Sequence, residues 1–109
     1  MLKKIYNEVT REWDTSVEEA LKSFIRLPAL SPDFDKKWEE NGVLLKALEE
    51  AKAWAEKQGI KGLRCEIIKD DGFTPCLFIE VDATSDKKFE RSVFFYGHLD
   101  KQPPNEGWD

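Results

Sequence analysis

Apolar residues change their spacing once along this chain, from steps of three and four before residue 58 to near-alternation from residue 63, which dictates helices followed by strands. Leu2, Ile5, Tyr6, Val9, Trp13, Val17, Leu21, Phe24 and Ile25 lay one stripe along a helix that fills the amino-terminal quarter of the chain. Thr15 or Ser16 stands where it can cap a second helix whose first turn carries Glu18 and Glu19, so the stripe allows a break near Asp14. Pro28 ends the pattern, and Ser31-Pro32-Asp33 continues as loop, because proline removes a donor and biases its predecessor away from helix. A further helix is expected from residue 35 or 37 to 58, with Leu44, Leu45, Leu48, Ala51, Trp54 and Ala55 on one face and an irregularity at Gly42.

Three strands are expected after it, at 63–68, 76–81 and 92–96. Asp70-Asp71-Gly72 and Thr74-Pro75 supply turn chemistry between the first two, which predicts an antiparallel hairpin. Residues 82–91 are charged and aperiodic, as in a solvated loop. Val93-Phe94-Phe95-Tyr96 has no polar alternation, the pattern of an interior strand covered on both faces. The fold class is therefore α/β, with two amino-terminal helices packed on a mixed sheet. Residues 101–109, with Pro103, Pro104 and Gly107, read as a loop that starts toward a further element, so the sequence reads as interrupted.

Length and charge then exclude several classes of function. A chain of 109 residues makes one domain at most. Its formal net charge is -5, and no Lys/Arg cluster interleaves with aromatics, which argues against nucleic-acid binding. No apolar run approaches the ~18 residues of a membrane span, and Met1-Leu2-Lys3-Lys4 opens no targeting segment. Two widely spaced cysteines, Cys65 and Cys76, fit free thiols in a reducing compartment, and the cytoplasm is the expected location.

The chemistry concentrates where the third apolar run breaks at Gly97 into His98-Leu99-Asp100. Ligands of open α/β sheets gather beyond the carboxyl ends of strands, and His98, the chain's single histidine, sits two residues past such an end. A metal-binding imidazole commonly has its other nitrogen held by a carboxylate, and alternation along an extended backbone puts Asp100 on the same side as His98. A Cys₂His site of Cys65, Cys76 and His98 is the competing metal arrangement, weighed against the ordinary role of free cysteine as a small core hydrophobe. The acidic pairs Glu39-Glu40, Glu49-Glu50 and Asp70-Asp71 read as solvated charge, and Trp13, Trp38 and Trp54 as core packing.

The string Tyr96-Gly97-His98-Leu99-Asp100-Lys101-Gln102-Pro103-Pro104, followed by Trp108, resembles the first metal-binding motif of the zinc-dependent exopeptidase and deacylase family. That family includes carnosine dipeptidases, acetylornithine deacetylase and succinyl-diaminopimelate desuccinylase, and the resemblance is to the dipeptidase branch. Phe24-Ile25-Arg26-Leu27-Pro28-Ala29-Leu30-Ser31 with Trp38 is similar to the family's helix-to-loop segment, and residues 44–59 to its second helix. The resemblance implies a phosphorylase/hydrolase-like catalytic domain, of which residues 1–109 are the amino-terminal part without the separate lid and dimerisation domain. It implies that His98 binds one of two zinc ions and that Asp100 orients it. By their position, Lys101, Gln102 and Pro103 are expected to shape the loop, and Trp108, which follows a Pro/Gly loop near the motif, to anchor that loop or shape the pocket rim. The remaining ligands and the general base lie downstream in that family, so the fragment alone is expected to be inactive. The parent's substrate is then a peptide or N-acyl amino acid, hydrolysed by metal-activated water. Self-association, or association with the remainder of the polypeptide, is the expected partnership. The alternative class is a non-enzymatic α/β interaction module or a decayed remnant.

Overall fold

A computed structural model describes residues 1–85 and 91–107. The amino-terminal stripe forms one continuous helical rod in three pieces: α1 (Leu2–Glu12), a π-helical turn (Trp13–Val17) and α2 (Glu18–Arg26). The break allowed near Asp14 is thus a widening of the helix and not a cap. Glu12, Trp13 and Glu18 all keep right-handed helical backbone, and the Thr15 hydroxyl donates back to the Arg11 carbonyl at 2.7 Å. Back-bonding of this kind loosens the local ladder without ending it. Leu27 then turns extended ahead of Pro28 and stops the rod.

The second expected helix is divided at Gly42 into α3 (Trp38–Asn41) and α4 (Val43–Lys57). Asp35 organises the entry: its carboxylate accepts from the Lys37 amide at 2.9 Å and from Asn41 Nδ2 at 2.6 Å. Asn41 Oδ1 accepts from the Val43 amide at 3.0 Å and so starts α4. From α4, Leu44, Ala47, Leu48 and Ala55 are buried. Leu44 and Ala47 form one cluster with the fully buried Ala29, onto which Phe24, Leu27, Trp38 and Val43 pack. Trp38 takes its expected core place, whereas Trp13 and Trp54 remain substantially exposed.

β1 (Leu63–Ile68) and β2 (Cys76–Val81) pair antiparallel, in register from Leu63 opposite Val81 to Ile68 opposite Cys76. Leu63, Cys65 and Ile67 alternate half-buried with exposed neighbours, as strands covered on one face do. α4 contacts both strands, and α2 contacts α4. The molecule is therefore a mixture of helices with a small antiparallel sheet.

Among the described residues the mixed sheet and its third strand do not form. Residues 92–96 carry no ladder, and Val93, Phe94, Phe95 and Tyr96 are 80–87% exposed, the opposite of an interior strand. An unbroken apolar run encodes a demand for burial, but a strand also needs a partner edge, and the only parallel pairing among the described residues is a single bridge between Leu30 and Lys101. Residues 86–90 of the expected loop lie outside the described residues, as does Trp108. No helix among the described residues is long and apolar enough to cross a membrane.

Candidate functional site

The tripeptide His98-Leu99-Asp100 is held from its carboxyl side. The Lys101 amide donates to the Ala29 carbonyl at 2.9 Å, and the Lys101 carbonyl accepts from the Ser31 amide at 2.8 Å, which ties the segment to the loop after α2. The Lys101 ammonium continues past this bridge to the end of α2. It donates to the carbonyls of Phe24 and Leu27, both at 2.8 Å, and stands 4.0 Å from the centre of the Phe24 ring. The Phe24 carbonyl also accepts from the Leu27 amide at 3.2 Å and has a second lone pair for the ammonium, and a cation suits that pole of the helix dipole. Burial pulls the ammonium below its ordinary pKa of 10.5, and the charge of Glu50 opposes the shift.

On this base, His98 Nδ1 lies 3.0 Å from Asp100 Oδ1 and 3.1 Å from the Asp100 carbonyl oxygen. An ionised carboxylate and a carbonyl only accept, so Nδ1 carries the hydrogen and donates to both. In the neutral ring, Nε2 then holds the free electron pair, the form in which imidazole binds a metal. The ring is 74% exposed and the Asp100 side chain 35%. A pocket of about 350 Å³ opens beside it, bordered by Leu44, Ala47 and Leu48 of α4, by Pro75 and Leu77, and by the 96–100 stretch.

His98 and Asp100 are thus brought together in the sense the sequence implied. Cys65 and Cys76 are not. Cys65 stands opposite Ile79 and Cys76 opposite Ile68, so alternation puts the two thiols on opposite faces of the hairpin. This register removes the Cys₂His arrangement. Glu39, Glu40, Glu49, Asp70 and Asp71 are exposed and Glu50 is half-buried, as befits solvated charge. Lys101 is the residue whose role the sequence concealed: its acceptor Phe24 lies 77 positions away, and no local pattern announces such a cap.

Catalytic zinc generally takes three protein ligands and leaves a position for water. Among the described residues, no three His, Cys, Asp or Glu side chains are grouped so that they can hold a metal ion. His98 offers one donor nitrogen, which by itself does not compose a centre. No protein-family model matches the chain, and no curated protein matches it.

Proposed function

We propose that this chain is the amino-terminal part of a zinc-dependent exopeptidase or deacylase catalytic domain, to which it contributes His98 as one metal ligand and Asp100 as the carboxylate that orients it. The observation that carries the reading is the paired geometry of that tripeptide: Nδ1 is occupied by Asp100 at 3.0 Å, and the exposed ring stands at a pocket. Bound zinc would polarise a substrate carbonyl and lower the pKa of its water toward ~7. The chain's own part is to aim the imidazole. A dipeptide or an N-acyl amino acid is the substrate class, and the residues that grip it belong to further elements. The exposed apolar side chains of Val93, Phe94, Phe95 and Tyr96 support such elements, because surface of that kind ordinarily marks an interface. The free thiols of Cys65 and Cys76 fit a cytoplasmic setting.

The same exposed run, with the exposed stripe of Leu2, Ile5, Tyr6 and Val9 on α1, favours the second reading, a module that docks on a partner without catalysis. Reading the gene past Asp109 separates the two: continuation into a Gly-rich Asp-Asp segment and then a Glu-Glu pair is expected, and a stop codon there sinks the peptidase. Zinc titration of the 109-residue chain by calorimetry tests the site itself. The expected result is only weak binding, lost in His98→Ala, with no hydrolysis of dipeptides. Two zinc ions bound at micromolar affinity or tighter, or turnover by the chain alone, would contradict the proposal.

A further inference from the structure

We infer that Lys101 is the positioning residue of this site: by capping the carboxyl end of α2 it fixes the backbone from which Asp100 grips the His98 ring and presents Nε2. This rests on the reading of His98 as a ligand, and it assigns the control of that ligand to a cation three residues on, whose own partners are the Phe24 and Leu27 carbonyls.

Among the described residues, the backbone and ammonium hydrogen bonds that anchor the tripeptide lie on its carboxyl side. Upstream, Val93, Phe94, Phe95 and Tyr96 are 80–87% exposed and have no ladder. Downstream, exposure falls through Leu99 and Asp100 to Lys101, where four hydrogen bonds and a ring contact converge. Two of the four are backbone bonds to Ala29 and Ser31, and Ala29 is fully buried in the core. The other two use the ammonium, so the side chain ties the bridge to the helix that packs on α4. Asp100 is the residue immediately before this junction, and both of its contacts to His98 Nδ1 are within hydrogen-bond distance, at 3.0 and 3.1 Å. A shift at Lys101 therefore reaches the imidazole through one peptide unit. A lysine suits the place because its compact ammonium reaches two carbonyls at once while standing over the Phe24 ring.

The chain has one histidine, so its imidazole nitrogens give one set of long-range proton–nitrogen NMR signals. In its neutral ring the native chain is expected to hold the Nδ1–H tautomer. Lys101→Met, which keeps the stem and removes the donors, should lose that preference and move toward the Nε2–H form of unrestrained histidine, while Lys101→Arg, which can reach both carbonyls, should retain it. A folded Lys101→Met chain with the native tautomer overturns the inference. Amide hydrogen exchange on the native chain decides the matter should Lys101→Met fail to fold: the Lys101 and Ser31 amides should be protected relative to residues 93–97, and equal exchange overturns the role. Zinc added to the native chain is a separate arm. Unmoved His98 signals there would sink the ligand reading and leave the positioning of the ring by Lys101 intact.

Discussion

Gly62 and Gly72 provide a matched pair for testing how tightly the hairpin is closed. Both have φ of 79°, so alanine at either place meets the same left-handed backbone penalty of roughly 1–2 kcal/mol, partly offset by ~0.4–1 kcal/mol from a stiffer unfolded chain. Gly72 has open space around it, so its alanine variant should lose only that difference, about 1 kcal/mol. At Gly62 an added Cβ would stand 2.8 Å from Asp82 Cβ and 3.3 Å from its Cγ. These atoms sit next to backbone and cannot swing aside as a long side-chain tip does. Asp82 must move, which strains its amide bond to the Gly62 carbonyl at 3.2 Å, a contact of about 0.5–1.5 kcal/mol, and disturbs its carboxylate at 2.9 Å from Arg64. Gly62→Ala should therefore lose about 2–3 kcal/mol in urea unfolding followed by circular dichroism, and its melting midpoint should fall by about 4–8 °C for each kcal/mol. In an Asp82→Gly background the obstructing Cβ is gone, and the cost of Gly62→Ala there should fall to that of Gly72→Ala. Equal losses at the two glycines, or an undiminished cost in the Asp82→Gly background, would refute the reasoning.

The exposed aromatic run makes a second expectation, that the chain associates as its concentration rises and that Phe94→Asp with Phe95→Asp disperses it while helical dichroism is kept; a native chain monodisperse in light scattering at high concentration would count against it. Lys101 adds a pH signature. Its folded pKa is lowered, so between that value and 10.5 the unfolded chain binds more protons and stability should climb with pH, whereas Lys22 and Lys52, raised by hydrogen bonds to Glu18 and Glu19 and to Glu56, lose their contributions above 10.5. The difference between native and Lys101→Met stability profiles isolates the climb, and parallel profiles would exclude it.

The parts of the fold that were legible in the sequence are those with a local period. The hairpin strands occupy 63–68 and 76–81 as read, and the irregularity at Gly42 is the division between α3 and α4. The π-helical turn left no such trace, since steps of four from Trp13 through Val17 to Leu21 are also ordinary on one face of an α-helix. The run of Val93, Phe94, Phe95 and Tyr96 misled because hydrophobicity reports a need for cover and not the neighbour that supplies it. Within the site, His98 and Asp100 were legible because two residues of spacing suffice to bring them together. The Lys101 cap was not, because its acceptors depend on how α2 ends and on the bridge to Leu30, both of which are tertiary facts.

The widened turn at Trp13–Val17 also sets the azimuth of everything before it. A residue inserted into an α-helix rotates the preceding surface by about 100° about the axis. Ahead of that turn Leu2, Ile5, Tyr6 and Val9 stay exposed and none of α1 is buried, whereas beyond it Phe24 packs on the core. One rod thereby carries two adhesive stretches, one spent on the body of the molecule and the other open to solvent.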